Sequence, residues 1–159
     1  MSSVDTKITP KKLATHLGRI VYSEQPSKII QVRPFKAVCN LIGEERLLDE
    51  VAWLLYFAVD AGVIAGLLEH REREVVRQAF FETLRIKIGS RFVNTLKTRI
   101  VEYEKAIKST PEDRLCVGWR FVEFCGLGEN PAVALAVTLL FSSTSKQARE
   151  LVEKYRLAS

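Results

Sequence analysis

The sequence predicts an all-α fold, a single-domain bundle of about seven or eight helices around an apolar central helix at about residues 44–68. In most segments apolar residues recur every three or four positions, and Thr-Pro or Asn-Pro pairs, which suit helix starts, precede several of them. No segment shows the sustained alternation typical of half-buried strands. With 159 residues, 47% of them hydrophobic, we expect one domain over residues 1–159.

The first predicted helix follows Thr9 and Pro10, a cap residue and a proline at the first helical position. Four apolar residues then share one face: Leu13, Leu17, Ile20 and Val21. Residues 23–34 contain two prolines and predict a connector of extended character, in which residues 28–32 could form a brief strand. A helix over about 35–42 follows, closed by Gly43.

The central helix contains residues 51–68, a run with fifteen apolar residues and a single charge, Asp60. The run reaches the lower length limit of a membrane-spanning helix. However, Asp60 costs about 2.5 to 3.5 kcal/mol on the insertion scale, which nearly cancels the gain from the apolar residues. The flanking charges also have mixed signs. We therefore expect a buried helix and no membrane partner, with Asp60 either paired to an arginine or lysine or turned to the rim at a break near Gly62.

Two amphipathic helices are predicted next, over residues 72–88 and 91–108, with Gly89 and Ser90 between them. The short connection favours antiparallel packing of the pair. A further helix is expected from Thr110 and Pro111 to Gly126.

The last part of the chain predicts two more helices. Asn130 precedes Pro131 and an almost wholly apolar segment over residues 132–141. Thr144 and Gln147 then fit a capping box that would begin a final amphipathic helix. Successive helical pairs after residue 70 leave repeat-like stacking possible.

The net charge of +5 comes from a basic N-terminal segment, residues 1–43, since the remaining residues balance. Such asymmetry suits an arm that meets nucleic acid or an acidic partner, and equally an ordinary solvated terminus. The candidate nucleic-acid contacts here are Lys11, Lys12 and Arg19. Residues 13–18 resemble the opening of a helix-turn-helix, but Pro26 falls inside what would be the recognition helix, so we do not assign that motif.

A second basic feature lies between residues 83 and 101, which contain five cations and no acid: Arg85, Lys87, Arg91, Lys97 and Arg99. On the face opposite the apolar stripe, they predict a positive surface suited to phosphate contacts. This stripe lacks interleaved aromatic residues, so nucleic-acid binding here would depend on the phosphate backbone and on salt. A solvated helix face explains the same residues.

Large aromatic residues in a helical core suggest a ligand pocket as a further alternative. Its lining would be Trp53, Tyr56 and Trp119, with Asp60 as polar anchor. Plain packing of the same side chains is the competing interpretation.

The sequence contains no recognisable catalytic, cofactor or metal signature. The two histidines, His16 and His70, lie far apart, and the three cysteines form no C-x-x-C pair. On a helix, His70 and Glu74 would give two metal ligands at most. We therefore expect a non-enzymatic protein without cofactor or metal. The first twenty residues contain no apolar block of a signal peptide, which predicts a cytoplasmic location.

Our leading hypothesis is a helical protein-interaction domain that binds another protein or itself. Residues 51–68 and 132–141 are apolar nearly all round, and a domain of this size encloses only one or two such helices, so some apolar surface is left for a partner. Nucleic-acid binding by the two basic features and small-molecule binding in the aromatic pocket are the alternatives.

Overall fold

The computed structural model describes residues 6–157, and within them it contains eight α-helices and two three-residue strands. The predicted all-α bundle is confirmed. Residues 1–5 of the basic N-terminal segment and residues 158 and 159 of the predicted domain lie outside the described residues. The elements in chain order are β1 (Thr6–Ile8), α1 (Pro10–Glu24), α2 (Pro26–Ile29), α3 (Phe35–Ile42), α4 (Glu44–Gly66), α5 (His70–Lys87), α6 (Ser90–Ser109), α7 (Cys116–Phe124), α8 (Pro131–Glu153) and β2 (Tyr155–Leu157).

Helix α4 is the centre of the bundle, as the apolar run predicts. It packs most extensively against α8, and α1, α3, α5, α6 and α7 also contact it. Because its side chains are enclosed on nearly all sides, the helix buries residues of every face, including Leu47, Leu54, Phe57 and Val63. No helix among residues 6–157 combines the length and apolar character needed to cross a membrane.

Helix α1 begins as its sequence predicts, because the Thr9 side chain accepts a hydrogen bond from the backbone N–H of Lys12 at 3.2 Å. The helix then continues without a turn through Gly18, the glycine that a helix-turn-helix would place at its corner. The rejection of that motif is therefore consistent with the structure.

Helices α5 and α6 form near the predicted positions, with Gly89 at φ +118° between them. The two helices contact each other, but α5 packs chiefly against α1. The apolar stripe of α5, which includes Val76, Phe80 and Leu84, is buried. The periodicity of an apolar stripe does not show which helix packs against it. Packing between helices that are neighbours in the sequence is only a first assumption.

The prediction of two helices after Pro131 is wrong, since α8 runs unbroken from Pro131 to Glu153. Its start is confirmed by the Asn130 side chain, which accepts a hydrogen bond from the N–H of Val133 at 3.1 Å. Thr144 does not cap a helix but lies fully buried in the middle of α8. Burial against α4 keeps this segment helical through the serines that suggested a break.

The predicted helix start at Thr110 and Pro111 is also wrong. Residues 110–115 form turns, and the Asp113 carboxylate accepts a hydrogen bond from the N–H of Leu115 at 2.9 Å. An aspartate side chain that binds backbone two residues on offers a turn in place of a helix. Helix α7 therefore begins only at Cys116.

The connector at residues 23–34 has less extended structure than predicted. Residues 28–32 form no strand, because Pro26–Ile29 is a single helical turn and the following residues are turns. The strands lie instead at the two ends of the described chain, where β1 pairs in parallel with β2 and Ile8 aligns with Leu157. Three-residue strands are too short to show a period in the sequence.

Helix α7 approaches α8 closely at Gly118. A Cβ atom there would overlap the carbonyl oxygen of Ala134. Only glycine allows this approach, which sets the separation of the two helices.

Candidate functional site

Asp60, the proposed ligand anchor, is completely buried and paired with Arg77. The Arg77 guanidinium donates to both carboxylate oxygens, at 2.8 Å and 3.1 Å, and to Glu74 at 3.0 Å. Burial raises the pKa of Asp60, while the hydrogen bonds and charge of Arg77 oppose that rise. Of the two alternatives for Asp60, pairing with an arginine is confirmed, and its oxygens are engaged inside the protein.

The four residues of the predicted ligand pocket do not line a common cavity among the five surface cavities described here. Trp53, Tyr56 and Asp60 line none of the five. Trp53 and Tyr56 instead pack against Phe92, with ring centroids 5.5 Å and 5.8 Å from it. Trp119 lies apart on α7 and lines a small cavity of about 200 Å³. The contacts of Trp53 and Tyr56 with Phe92 therefore favour the plain packing interpretation over a shared ligand pocket.

The prediction that Arg99 lies on an exposed basic face is wrong. Its guanidinium donates to both carboxylate oxygens of buried Glu50 and stands 4.2 Å from the ring centroid of Phe124. The sequence contained a signal for this, because Leu96, Arg99 and Tyr103 follow one another at spacings of three and four on the core-facing stripe. Arg99 therefore binds α4 and is not available to phosphates.

Two predicted basic features do meet in one place. Lys11 of α1, Arg85 of α5 and Lys97 of α6 line a single open cavity of about 680 Å³, which we call the basic groove. The remaining lining residues are Thr9, Pro10, Val75, Gln78, Ala79, Phe81 and Glu82. The packing of α5 against α1 forms this groove, so residues more than seventy positions apart in the sequence share one surface.

Phe81 gives the basic groove an aromatic wall that the sequence reasoning missed. The Lys97 ammonium lies 5.5 Å from the centre of the Phe81 ring, and the Arg77 guanidinium lies 5.9 Å from it. Both are within the range of a cation–π interaction. A usable signal exists in the sequence, since Arg77, Phe81 and Arg85 recur at every fourth residue of one helix.

The other predicted cations lie outside the basic groove. Arg19 lines a separate cavity of about 560 Å³ between α1 and α8, together with His16. The Lys87 ammonium lies 4.6 Å from the centre of the Tyr22 ring. Lys12 and Arg91 are exposed at the starts of α1 and α6. The eight candidate nucleic-acid contacts therefore do not form one continuous surface.

Comparison with known proteins finds no match to any family model, any curated protein or any solved structure. The chemistry of the described side chains is thus what argues for a function.

Metal and acid–base chemistry find little support in these side chains. Over residues 6–157, no group of three or more His, Cys, Asp or Glu is placed to hold a metal ion. His70 accepts a hydrogen bond from Arg73, and Glu74 binds Arg77, so the one weak candidate pair is engaged elsewhere. Burial raises the pKa of the Cys125 thiol to about 12, which keeps that cysteine protonated and unreactive near neutral pH.

Proposed function

We propose that this protein is a non-catalytic helical interaction module whose basic groove binds a protein segment that is both apolar and acidic. The observation that carries the proposal is the composition of the groove. Val75, Ala79 and Phe81 supply an apolar floor, and Lys11 and Lys97 supply cations at its edge. Apolar floors give affinity to a docked segment, while charges at the rim select its sign and orientation.

A protein partner suits the basic groove better than a nucleic acid does. Glu82 lines the groove and holds Arg85 at 2.9 Å, so one of the three cations is already partly neutralised. Arg99, which a phosphate-binding surface would need, is sequestered by Glu50. Phosphate-driven binding relies on many uncompensated cations, whereas a mixed apolar and acidic segment can use the floor as well as the rim.

We also propose that the protein is non-catalytic and cytoplasmic. Cys39, Cys116 and Cys125 are free thiols, as reducing compartments favour. The raised pKa values of buried Tyr103 and Cys125 lie away from the range that acid–base catalysis at neutral pH requires.

A peptide titration tests the proposed function. The probe is a labelled synthetic helix carrying leucine and glutamate on one face, and its matched control replaces each glutamate by glutamine. We expect the acidic peptide to bind more tightly, and Lys11→Glu with Lys97→Glu to weaken binding at least tenfold. Lys108→Glu with Lys146→Glu is the charge-matched control, because both lysines are exposed outside the groove.

Single-stranded DNA and RNA at low salt complete the titration. Tighter binding of these polyanions than of the acidic peptide, lost in the same groove variant, would replace the proposal with nucleic-acid binding. Equal affinity for the glutamate and glutamine peptides would also count against it.

A further inference from the structure

The chain itself carries an acidic and apolar surface that matches the basic groove. At the junction of α3 and α4, Leu41 is 75% exposed, and beside it Glu44, Glu45 and Asp49 line a cavity of about 490 Å³ with Ile42. We call residues 41–49 the acidic corner. An exposed leucine next to three carboxylates is the kind of segment that the proposed function requires as a ligand.

The acidic corner keeps much of its negative charge uncompensated. The nearby cation, Arg46, turns its guanidinium to the carbonyl oxygen of Phe124 at 3.1 Å. Partial burial raises the pKa of Asp49, and the charges of Glu45 and Glu50 raise it further. Carboxylates crowded in this way are stabilised when an external cation approaches. The corner therefore has an electrostatic reason to meet a basic surface.

The acidic corner and the basic groove are separate surfaces of one chain. They share no lining residue, and no ion pair among residues 6–157 joins them. Each surface is therefore open to contact another molecule.

We propose that the occupant of the basic groove is the acidic corner of a second copy of this chain. This inference rests on the proposed function and names its partner. Leu41 of one copy would contact the apolar floor at Val75 and Phe81 of the next, and Glu44 and Glu45 would face Lys11 and Lys97. Net charges also match, since the groove has three cations and one acid, and the corner three acids and one arginine.

The geometry of such a contact is head to tail. Each copy uses two different surfaces, so an open assembly of any length still has one free groove at one end and one free corner at the other. Association then continues with concentration, into a ring or an open chain, and does not stop at a symmetric dimer. Because the contact relies on charged side chains, we expect it to dissociate in high salt.

Charge reversal with rescue by mixing tests the inference. One variant carries Glu44→Lys and Glu45→Lys, and the other carries Lys11→Glu and Lys97→Glu. Each alone presents like charges at both surfaces, so we expect it to remain at the 18.0 kDa of the monomer in sedimentation experiments. A mixture of the two restores opposite charges at every contact, and we expect it to assemble as the natural chain does.

Sedimentation at several concentrations, in roughly 0.05 M and roughly 1 M salt, reads out the assembly. The inference expects a mass that rises with concentration in low salt only. Circular dichroism checks that the variants fold, which we expect because all four positions are exposed. If a variant does not fold, Leu41→Ser replaces it, and this change should reduce assembly without altering charge.

Other outcomes separate this inference from the proposed function. A chain that is monomeric at all concentrations but still binds the acidic peptide overturns self-association and leaves the proposed function standing. A chain that neither assembles nor binds the peptide overturns both proposals. Assembly that survives the charge reversals but is lost on Leu135→Ser with Leu139→Ser overturns the inference as well. Those leucines are exposed on α8, and that face would then join the copies.

Discussion

Arg77 of α5 holds Asp60 of α4 through two parallel hydrogen bonds, Nε to Oδ1 at 2.8 Å and Nη2 to Oδ2 at 3.1 Å. Asp60 is the single charged residue of the apolar run 51–68, and it has no exposed surface. A buried pair of this kind adds little net stability over apolar packing, but it penalises strongly any arrangement that separates the partners. The pair thus fixes how α5 lies on α4.

Arg77→Met should leave the Asp60 carboxylate buried without its partner and lower the free energy of unfolding by about 3 to 5 kcal/mol. Urea denaturation at neutral pH measures the change. Arg71→Met, at an exposed position of the same helix, serves as control and should alter stability by about 0.5 kcal/mol or less. Equal losses in the two variants would mean that the ion pair does not fix the helix.

The loss in Arg77→Met should shrink as pH falls. Burial already raises the pKa of Asp60, and Arg77 lowers it, so removing Arg77 raises that pKa further in the folded state. A folded state whose acid has a raised pKa binds the proton more tightly than the unfolded chain does, so its stability increases as pH falls through that pKa. Urea denaturation from pH 7 down to pH 4 should show the variant approaching the natural chain. A gap independent of pH would contradict this.

Gly118→Ala should destabilise the protein, because its Cβ would overlap the carbonyl oxygen of Ala134 and push α7 from α8. Overpacking of this kind costs about 1 to 3 kcal/mol or more. The matched control is Gly18→Ala within α1, where a Cβ meets nothing within 4 Å; we expect it to stabilise by about 0.4 to 1 kcal/mol. Thermal unfolding of both variants should therefore show shifts of opposite sign.

Thr144→Val should stabilise the protein by about 1 kcal/mol. The Thr144 hydroxyl is buried and has no hydrogen-bond partner among the described residues, and an unsatisfied buried hydroxyl costs about 1 to 3 kcal/mol. Thr138→Val on the same helix is the control, because its hydroxyl donates to the Ala134 carbonyl at 2.8 Å. That change should be destabilising by about 0.5 to 1.5 kcal/mol. Calorimetry that finds both variants equally stable would refute the assignment.

The helices that the sequence predicts well share strong local signals. Thr9 before α1 and Asn130 before α8 accept the expected capping hydrogen bonds, and the periodic stripes of α5 and α6 are buried. Two predicted helix boundaries differ from the structure because another interaction outweighs the local signal. The serines after Phe141 suggested a break, yet contact with α4 keeps α8 continuous, and Asp113 binds its own backbone where a helix start was expected.

In the candidate site, too, single residues can be predicted from the sequence but their arrangement cannot. Its cations could be recognised individually, because charge is a property of each residue. Their grouping could not, since Lys11, Arg85 and Lys97 meet only through the packing of α1, α5 and α6. The charge of Arg99 predicts an exposed position, but its place on the apolar stripe brings it to buried Glu50.

The sequence by itself determined the helical fold class, the central position of α4 and the need of Asp60 for a partner. These follow from periodicity, from capping residues and from the cost of an unpaired buried charge, all of which act locally. Only the tertiary structure decided that the partner is Arg77, that Arg99 serves Glu50, and that a basic groove opens at Phe81. Each of these depends on which stripes face each other, and many helix pairings bury similar apolar area, so shape and buried polar contacts make the choice.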